Sequence, residues 1–354
     1  VGATIVVCDG DQTGQELLDQ ALRVLDANVL GVDVALSRYD LSLANRRRTD
    51  NDVVREAAVK MTATGLGLKA ATVTPPEIGG VGSPNRILRE GIDGKVIVRT
   101  GRRIPGVAPI VALMHPIVVV RMAVGDAYGA HEAREGSANT LDEVATRTER
   151  ITRRVCRSVA EFSFLTAQSM GGVVYGGPKW TVSPVYEGML KEEMDLAASR
   201  HADVAYQPVL IDAAYAGLFT ESGQRALVIP SLNRDGDVLS DLVLAMFGSI
   251  AGAESVLMAL DDEMAPTVAM AEAPHGTAPT LEGKNVANPM AMLLALAAVL
   301  EHAGRHGAPN GPNAAARLRA ATLDAAADGV RTFDLAGNAT TSDVVDEVIA
   351  RLKG

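Results

Sequence analysis

The chain has 354 residues with 47% hydrophobic side chains, enough core for one large α/β unit or two lobes; at 3% aromatic, that core must be built from Ala, Val, Leu and Met. A formal net charge of −10 argues against a general nucleic-acid or anionic-membrane binder, so arginines meeting an anionic ligand must be gathered locally. Cys8 and Cys156 are the only cysteines, which excludes a disulfide framework and a cysteine metal site and leaves two inert core thiols.

In chain order, Ala3 to Cys8 reads as a buried strand, rich in β-branched residues. The loop Gly10-Asp11-Gln12-Thr13-Gly14 follows, and its glycines read as turn glycines. It lacks the spacing of a dinucleotide fingerprint, and the chain has no phosphate loop ending in Gly-Lys-Ser/Thr. An amphipathic helix then carries Leu17, Leu18, Ala21, Leu22 and Leu25 on one side. Val32 to Ser37 is a strand, Asn51 to Ala63 a helix, and Leu66 to Val73 a third strand. This alternation predicts an α/β fold with a largely parallel sheet and helices on both faces.

Ser83-Pro84 is a good cap and first helical residue. Asn85 and Arg89 then share a helix face. With the free N–H groups of the helix start, they form either an anion cradle or an ordinary capped helix with a surface arginine. Arg99 ends the run Lys95 to Val98, and Arg121 ends the run Ile117 to Val120. A guanidinium beside a buried strand needs an anionic partner or a pocket mouth. Three arginines from separate elements point to a small polyanion such as a tricarboxylate. Tyr128, seven residues after Arg121, is either a proton donor or a packing residue.

Asn139 to Ala167 reads as one long helix or two joined ones. Its charged run (Arg147, Glu149, Arg150, Arg153, Arg154, Arg157) reads as a solvated face. After Gly171-Gly172 comes a short strand ending at Tyr175. Ala226 to Ile229 is a strand, Asp235-Gly236 a tight turn, and the residues beyond are helical. On that helix Asp237 and Asp241 stand one turn apart. They suit a hard divalent cation, Mg²⁺ or Mn²⁺, or else a solvated helix start whose dipole favours carboxylates. Pro289 to His302 is apolar nearly all round and must be buried. Pro309 to Pro312 reads as a loop, and Ser342 to Lys353 as a closing helix. No apolar run reaches membrane-spanning length and no signal core is present, so a soluble cytoplasmic protein is expected.

Taken in order, Tyr39-Asp40-Leu41, Ala71 to Pro75, Ser83 to Arg89, Arg121 to Tyr128, Leu210-Ile211-Asp212, Asn233 to Asp241, Glu272 to Thr277 and Asn288-Pro289 resemble a known family nearly end to end. It is that of the metal-dependent decarboxylating β-hydroxyacid dehydrogenases, the isocitrate and isopropylmalate dehydrogenases, and the likeness is closest to homodimeric isocitrate dehydrogenases. The resemblance implies a large α/β domain formed by residues 1–94 and 249–354. A smaller α/β domain would span 95–248, with a dimer clasp at about 126–170. Ser83, Asn85, Arg89, Arg99 and Arg121 would hold the substrate carboxylates. Asp237 and Asp241 would bind Mg²⁺ or Mn²⁺, with Asp212 contributed by the neighbouring subunit. His275, Gly276, Thr277 and Asn288, with Lys69, Thr72 and Thr74, match cofactor-contacting positions. Tyr128, Asp212 and Lys179 would carry the proton transfers. The implied reaction is NAD(P)-dependent oxidative decarboxylation of isocitrate or a close 2-hydroxy acid.

Three departures accompany the resemblance. Aligning Tyr186-Glu187-Gly188 with the family's element puts Pro184 where a catalytic lysine is expected, so either Lys179 substitutes through a shifted loop, or Asp212 with metal-bound water does the work, or activity is reduced. Thr280 and Leu281 stand where NADP users carry basic residues and NAD users an Asp; the missing cation favours NAD. Met122-Ala123-Val124 replaces the Glu-Asn found after the arginine in many bacterial members. The alternatives are a phosphonate analogue such as phosphonomethylmalate as substrate, or a catalytically impaired regulatory subunit.

Overall fold

The computed structural model describes residues 2–75, 80–220 and 225–354. Its strands in chain order are β1 (Ala3–Asp9), β2 (Val34–Asp40), β3 (Leu66–Lys69), β4 (Val96–Gly101), β5 (Ile117–Met122), β6 (His131–Glu135), β7 (Val144–Thr148), β8 (Val173–Tyr175), β9 (Ala205–Gln207), β10 (Leu227–Ser231), β11 (Ser255–Leu260) and β12 (Pro266–Glu272). Ten of them form one sheet in the order β2-β1-β3-β12-β11-β4-β5-β10-β8-β9. The outer pairs are parallel, while β12-β11, β11-β4 and β4-β5 are antiparallel. Strands from 1–94 and from 249–354 fill one end of the sheet, and strands from 95–248, apart from the ribbon β6-β7, continue it. The fold is α/β, as the alternation predicts.

The helix Met290–Ala303 is buried on every side except Glu301 and His302 and packs against the helix Gly311–Ala327. An apolar surface all round leaves such a segment no solvated face. Both cysteines are free and buried, and burial pushes each thiol up to about 12. No helix among the described residues is long and apolar enough to cross a membrane.

Several boundaries differ from the sequence expectation. The helix expected from Asn139 begins only at Arg153 and ends at Met170. Before it, β7 pairs antiparallel with β6 in a separate ribbon. Val144, Thr146 and Thr148 favour extended backbone, and the Thr152 side chain accepts from the Val155 N–H to start the helix. The third strand stops at Lys69 rather than Val73. The Pro309–Pro312 loop is cut short, because a helix starts at Gly311 with Pro312 in its first turn. Asp235-Gly236 is not a turn but lies within the helix Asn233–Met246. Gly10 and Gly14 serve close approach, not turning: a Cβ on Gly10 would lie 2.1 Å from the Ala71 carbonyl oxygen, and one on Gly14 2.8 Å from the Ala71 Cβ.

Candidate active site

The antiparallel middle of the sheet aims charged side chains into one cleft. Arg99 sits within β4 and Arg121 within β5, not after these strands. The helix Pro84–Gly91, capped by the Ser83 hydroxyl, adds Asn85 and Arg89. The helix Asn233–Met246 adds Asp237 and Asp241. It can approach β5 because Gly236 has no side chain; a Cβ there would lie 2.8 Å from the Arg121 Cβ. The cleft these elements enclose has a volume of about 910 Å³.

Inside it, the cations and carboxylates interlock. Arg121 is buried, donates from Nε to Asn233 Oδ1 at 2.9 Å, and pairs with Asp237. The Tyr128 hydroxyl donates to the other Asp237 oxygen, and the Arg121 guanidinium lies 5.1 Å from the Tyr128 ring centre. Arg99 donates to Asp241 at 2.9 Å and to the Ser240 hydroxyl at 3.0 Å. Arg89 has neither a hydrogen-bond nor an ion-pair partner among the described residues, yet it lines the same cleft. Burial lowers the Arg89 pKa, and burial followed by the Arg89 charge brings Arg121 down to about 10. Burial alone would raise the Asp237 pKa, but Arg121, Tyr128, Arg99 and Arg89 outweigh it and hold the carboxyl below its usual range. For Asp241, burial together with the Asp237 charge outweighs Arg99, and its pKa rises. Three guanidiniums in one cleft, with that of Arg89 unpaired among the described residues, have the chemistry to receive a polyanion.

On the far side of the cleft, Lys69 is buried and donates to Glu272 at 2.9 Å and to the Ala70 carbonyl at 3.0 Å. Thr72, Thr74, His275 and Gly276 line the same wall. The His275 Nε2 and Asn85 Oδ1 atoms are buried without a partner among the described residues. The structure therefore brings together Lys69, Thr72, Thr74, Ser83, Asn85, Arg89, Arg99, Arg121, Tyr128, Asp237, Asp241, His275 and Gly276.

It does not bring in Thr277, Asn288, Asp212 or Lys179. Asn288 donates to Asp334 at 3.0 Å and accepts from the Met290 N–H, so within this chain it starts the helix Met290–Ala303. Lys179 and Asp212 form a separate ion pair of 2.5 Å, which lowers the Asp212 pKa. Pro184 is exposed in a turn ahead of the helix Tyr186–Arg200. The ammonium beside Asp212 is thus that of Lys179. Glu272, Glu90 and Arg86 line the cleft but were given no role from the sequence. The signal for Glu272 was the buried Lys69, whose ammonium needs a carboxylate.

Asp237 and Asp241 supply hard oxygen donors on one open wall, a donor chemistry that fits a divalent cation. Among the described residues of one chain, no group of three metal-ligating side chains comes together.

The chain is similar to known proteins over nearly its whole length. Residues 4–348 match the family model described as isocitrate/isopropylmalate dehydrogenase. An isocitrate/homoisocitrate dehydrogenase of Thermus thermophilus is 29% identical over 99% of this chain and 98% of its own length. A 3-isopropylmalate dehydrogenase of Methanothermobacter thermautotrophicus is 28% identical over the same shares. Among solved structures, isocitrate dehydrogenase from Methylococcus capsulatus superposes with a TM-score of 0.86 at 23% identity, covering 99% of this chain and 100% of that one.

Proposed function

The chain belongs to the isocitrate/isopropylmalate dehydrogenase family of decarboxylating dehydrogenases, and from that premise we propose that it oxidatively decarboxylates isocitrate or a close 2-hydroxy acid analogue, with NAD as the favoured acceptor. The observation that carries this reading is the unpaired Arg89 beside Arg99 and Arg121, facing two carboxylates one helical turn apart. Relatives in the family are named for NADP and for NAD alike, so the lean to NAD rests on Thr280 and Leu281, which offer no cation for a ribose phosphate.

In this reading Arg89, Arg99 and Arg121 take the substrate carboxylates, while Ser83 and Asn85 address the distal acidic group. Their polarity suits a carboxylate or a phosphonate there, and suits an isopropyl group poorly. Asp237 and Asp241, with Asp212 of a second subunit, would hold Mg²⁺ or Mn²⁺. When bound, the cation polarises the substrate hydroxyl and carboxylate, and the nicotinamide accepts the hydride. Arginines that leave their aspartates for the substrate free those aspartates for the cation. The Tyr128 hydroxyl, already inside the cleft, is placed to deliver a proton to the carbon that loses CO₂. Lys179, with Asp212, would come from the same second subunit and manage the hydroxyl proton.

Two features support a homodimer. All ten residues of the β6-β7 ribbon are exposed, and a two-stranded ribbon alone is marginal in water. Val182, Val185 and Phe219, close in sequence to Lys179 and Asp212, are also exposed.

The test is turnover. Purified protein with Mg²⁺ or Mn²⁺ and either NAD or NADP is offered isocitrate, homoisocitrate, isopropylmalate and phosphonomethylmalate while reduced-nicotinamide absorbance is followed. Turnover of isocitrate or an analogue with a second acidic arm, fastest with NAD, is expected. Preference for isopropylmalate contradicts the role of Ser83 and Asn85. Metal and ligand binding without any turnover contradicts catalysis and favours a non-catalytic subunit.

A further inference from the structure

Arg46 is fully buried, yet among the described residues no carboxylate lies within hydrogen-bonding reach of its guanidinium. Its donors go to three backbone carbonyls instead. Nε donates to Leu41 at 3.0 Å, Nη1 to Gly82 at 3.0 Å, and Nη2 to Val73. Val73 is held from its other side as well, because its N–H donates to Asp11 Oδ2 at 2.8 Å. The second Asp11 oxygen accepts from the Leu43 N–H at 2.9 Å, at the start of the short helix that carries Arg46. One residue before Gly82, the Val81 carbonyl accepts from the Asn51 side chain at 2.8 Å.

Burying a guanidinium on carbonyls alone is costly, and burial lowers its pKa against the pull of Asp11. A packing role would be met by an apolar side chain. What the guanidinium adds is a fork that joins two separate stretches of backbone, at Val73 and at Gly82. Each stretch leads directly into the cleft. Thr72 and Thr74 flank Val73 on the wall assigned to the nucleotide, and Ser83 and Asn85 follow Gly82 on the wall assigned to the acid.

We propose that Arg46 is a positioning residue that sets the spacing between the nucleotide wall and the distal-acid wall of the cleft. It touches neither ligand. It acts through the carbonyls of Val73 and Gly82, with Asp11 as its counterpart on the Val73 N–H. This inference rests on the assignment of the two walls above.

The test uses Arg46→Lys in the full chain, with Asp11→Asn as a second variant that leaves one acceptor oxygen for the Val73 and Leu43 N–H groups and keeps the guanidinium in place. A lysine puts its donors on one nitrogen and loses the planar fork that joins the two carbonyls. Each variant is expected to raise KM for both the hydroxy acid and the nicotinamide nucleotide about tenfold, with kcat within about threefold. Amide hydrogen exchange without ligand is expected to quicken at Thr72–Thr74 and Val81–Ser83 and to stay unchanged in β1 and β12. Unaltered KM values for both ligands overturn the proposal. So does a fall in kcat at constant KM, or exchange that quickens across the whole sheet. If Arg46→Lys does not fold, Asp11→Asn decides by the same readings. If the wild-type chain turns over none of the acids offered, the proposed function fails, while the exchange experiment still reads the clamp.

Discussion

Two acidic sites sit in this molecule in different company. Asp237 and Asp241 stand among Arg89, Arg99 and Arg121 in the cleft, with the Asp237 side chain 31% exposed and that of Asp241, nearer the mouth, 67%. Asp212 has, among the described residues, one side-chain partner, Lys179, and is 63% exposed. The first group is a receptor within one chain, with charges of both signs already converged. The second is a lone pair outside that cleft, in a part of the chain that also exposes Val182, Val185 and Phe219. Surface ion pairs are worth little for stability, so the second pair has no strong structural reason to exist alone. In the proposed reading, the contrast is that one chain holds most of a site and presents the remainder outward for a second copy.

The comparison can be broken most sharply at Lys179. Lys179→Met is expected to lower kcat by about 10²–10⁴-fold, the usual cost of a lost positioned proton carrier, while the thermal midpoint stays near wild type. Pro184→Ala is expected to change little, within about 0.5 kcal/mol in stability. Steady-state rates and a melting curve check both, and equal losses for the two would return the lysine's role to the position of Pro184.

Within the cleft, Arg121→Met is expected to cost about 10²–10³-fold in kcat/KM, since it leaves Asp237 without its buried partner. Calorimetric titration is expected to show weaker binding of the hydroxy acid in the same variant. Undiminished acid binding would remove Arg121 from the receptor.

A smaller effect sharpens the contrast between working and structural ion pairs. Glu193, on the helix Tyr186–Arg200, is buried between Arg153 and Arg157 and does not line the cleft. Burial acts to raise its pKa, but the two arginines outweigh burial and hold it below the ordinary 4.5. A lowered carboxyl pKa stabilises the fold above the unfolded value, and that stabilisation is lost as pH falls through the folded value. Glu193→Gln is therefore expected to cost about 1–2 kcal/mol at neutral pH, discounted for the half-exposed arginines. The gap between the two melting curves is expected to close as pH falls below about 4. A gap independent of pH would show that charge plays no part.

The cleft was legible in sequence where chemistry forced unusual placements. Arg99 and Arg121 interrupt apolar strands, and Asp237 and Asp241 repeat at one helical turn. Both patterns are costly without partners. The strand β7 was misread as helix because it leads into the charged run Arg147 to Arg157, which resembles a solvated helix face, and only its pairing with β6 distinguishes it. Lys179 was displaced in favour of Pro184 because a three-residue match is too short to fix register. Arg46 was invisible for a different reason. It stands in Arg46-Arg47-Arg48, which reads as a solvated run, and only the tertiary fold selects the first of the three for burial. Glu272 and Lys69 are 203 positions apart, so their pairing also had to await the sheet.

Subunit mixing tests the shared site most directly. One variant, Lys179→Met with Asp212→Asn, keeps its cleft; the other, Arg121→Met with Asp237→Asn, keeps Lys179 and Asp212. Each is inactive alone. If the cleft of one subunit is completed by the other, refolding an equal mixture restores about a quarter of wild-type activity, because half the dimers are mixed and each has one intact site. If both parts act within a single chain, every site in the mixture is defective, and activity remaining at the level of the separate variants would contradict the account.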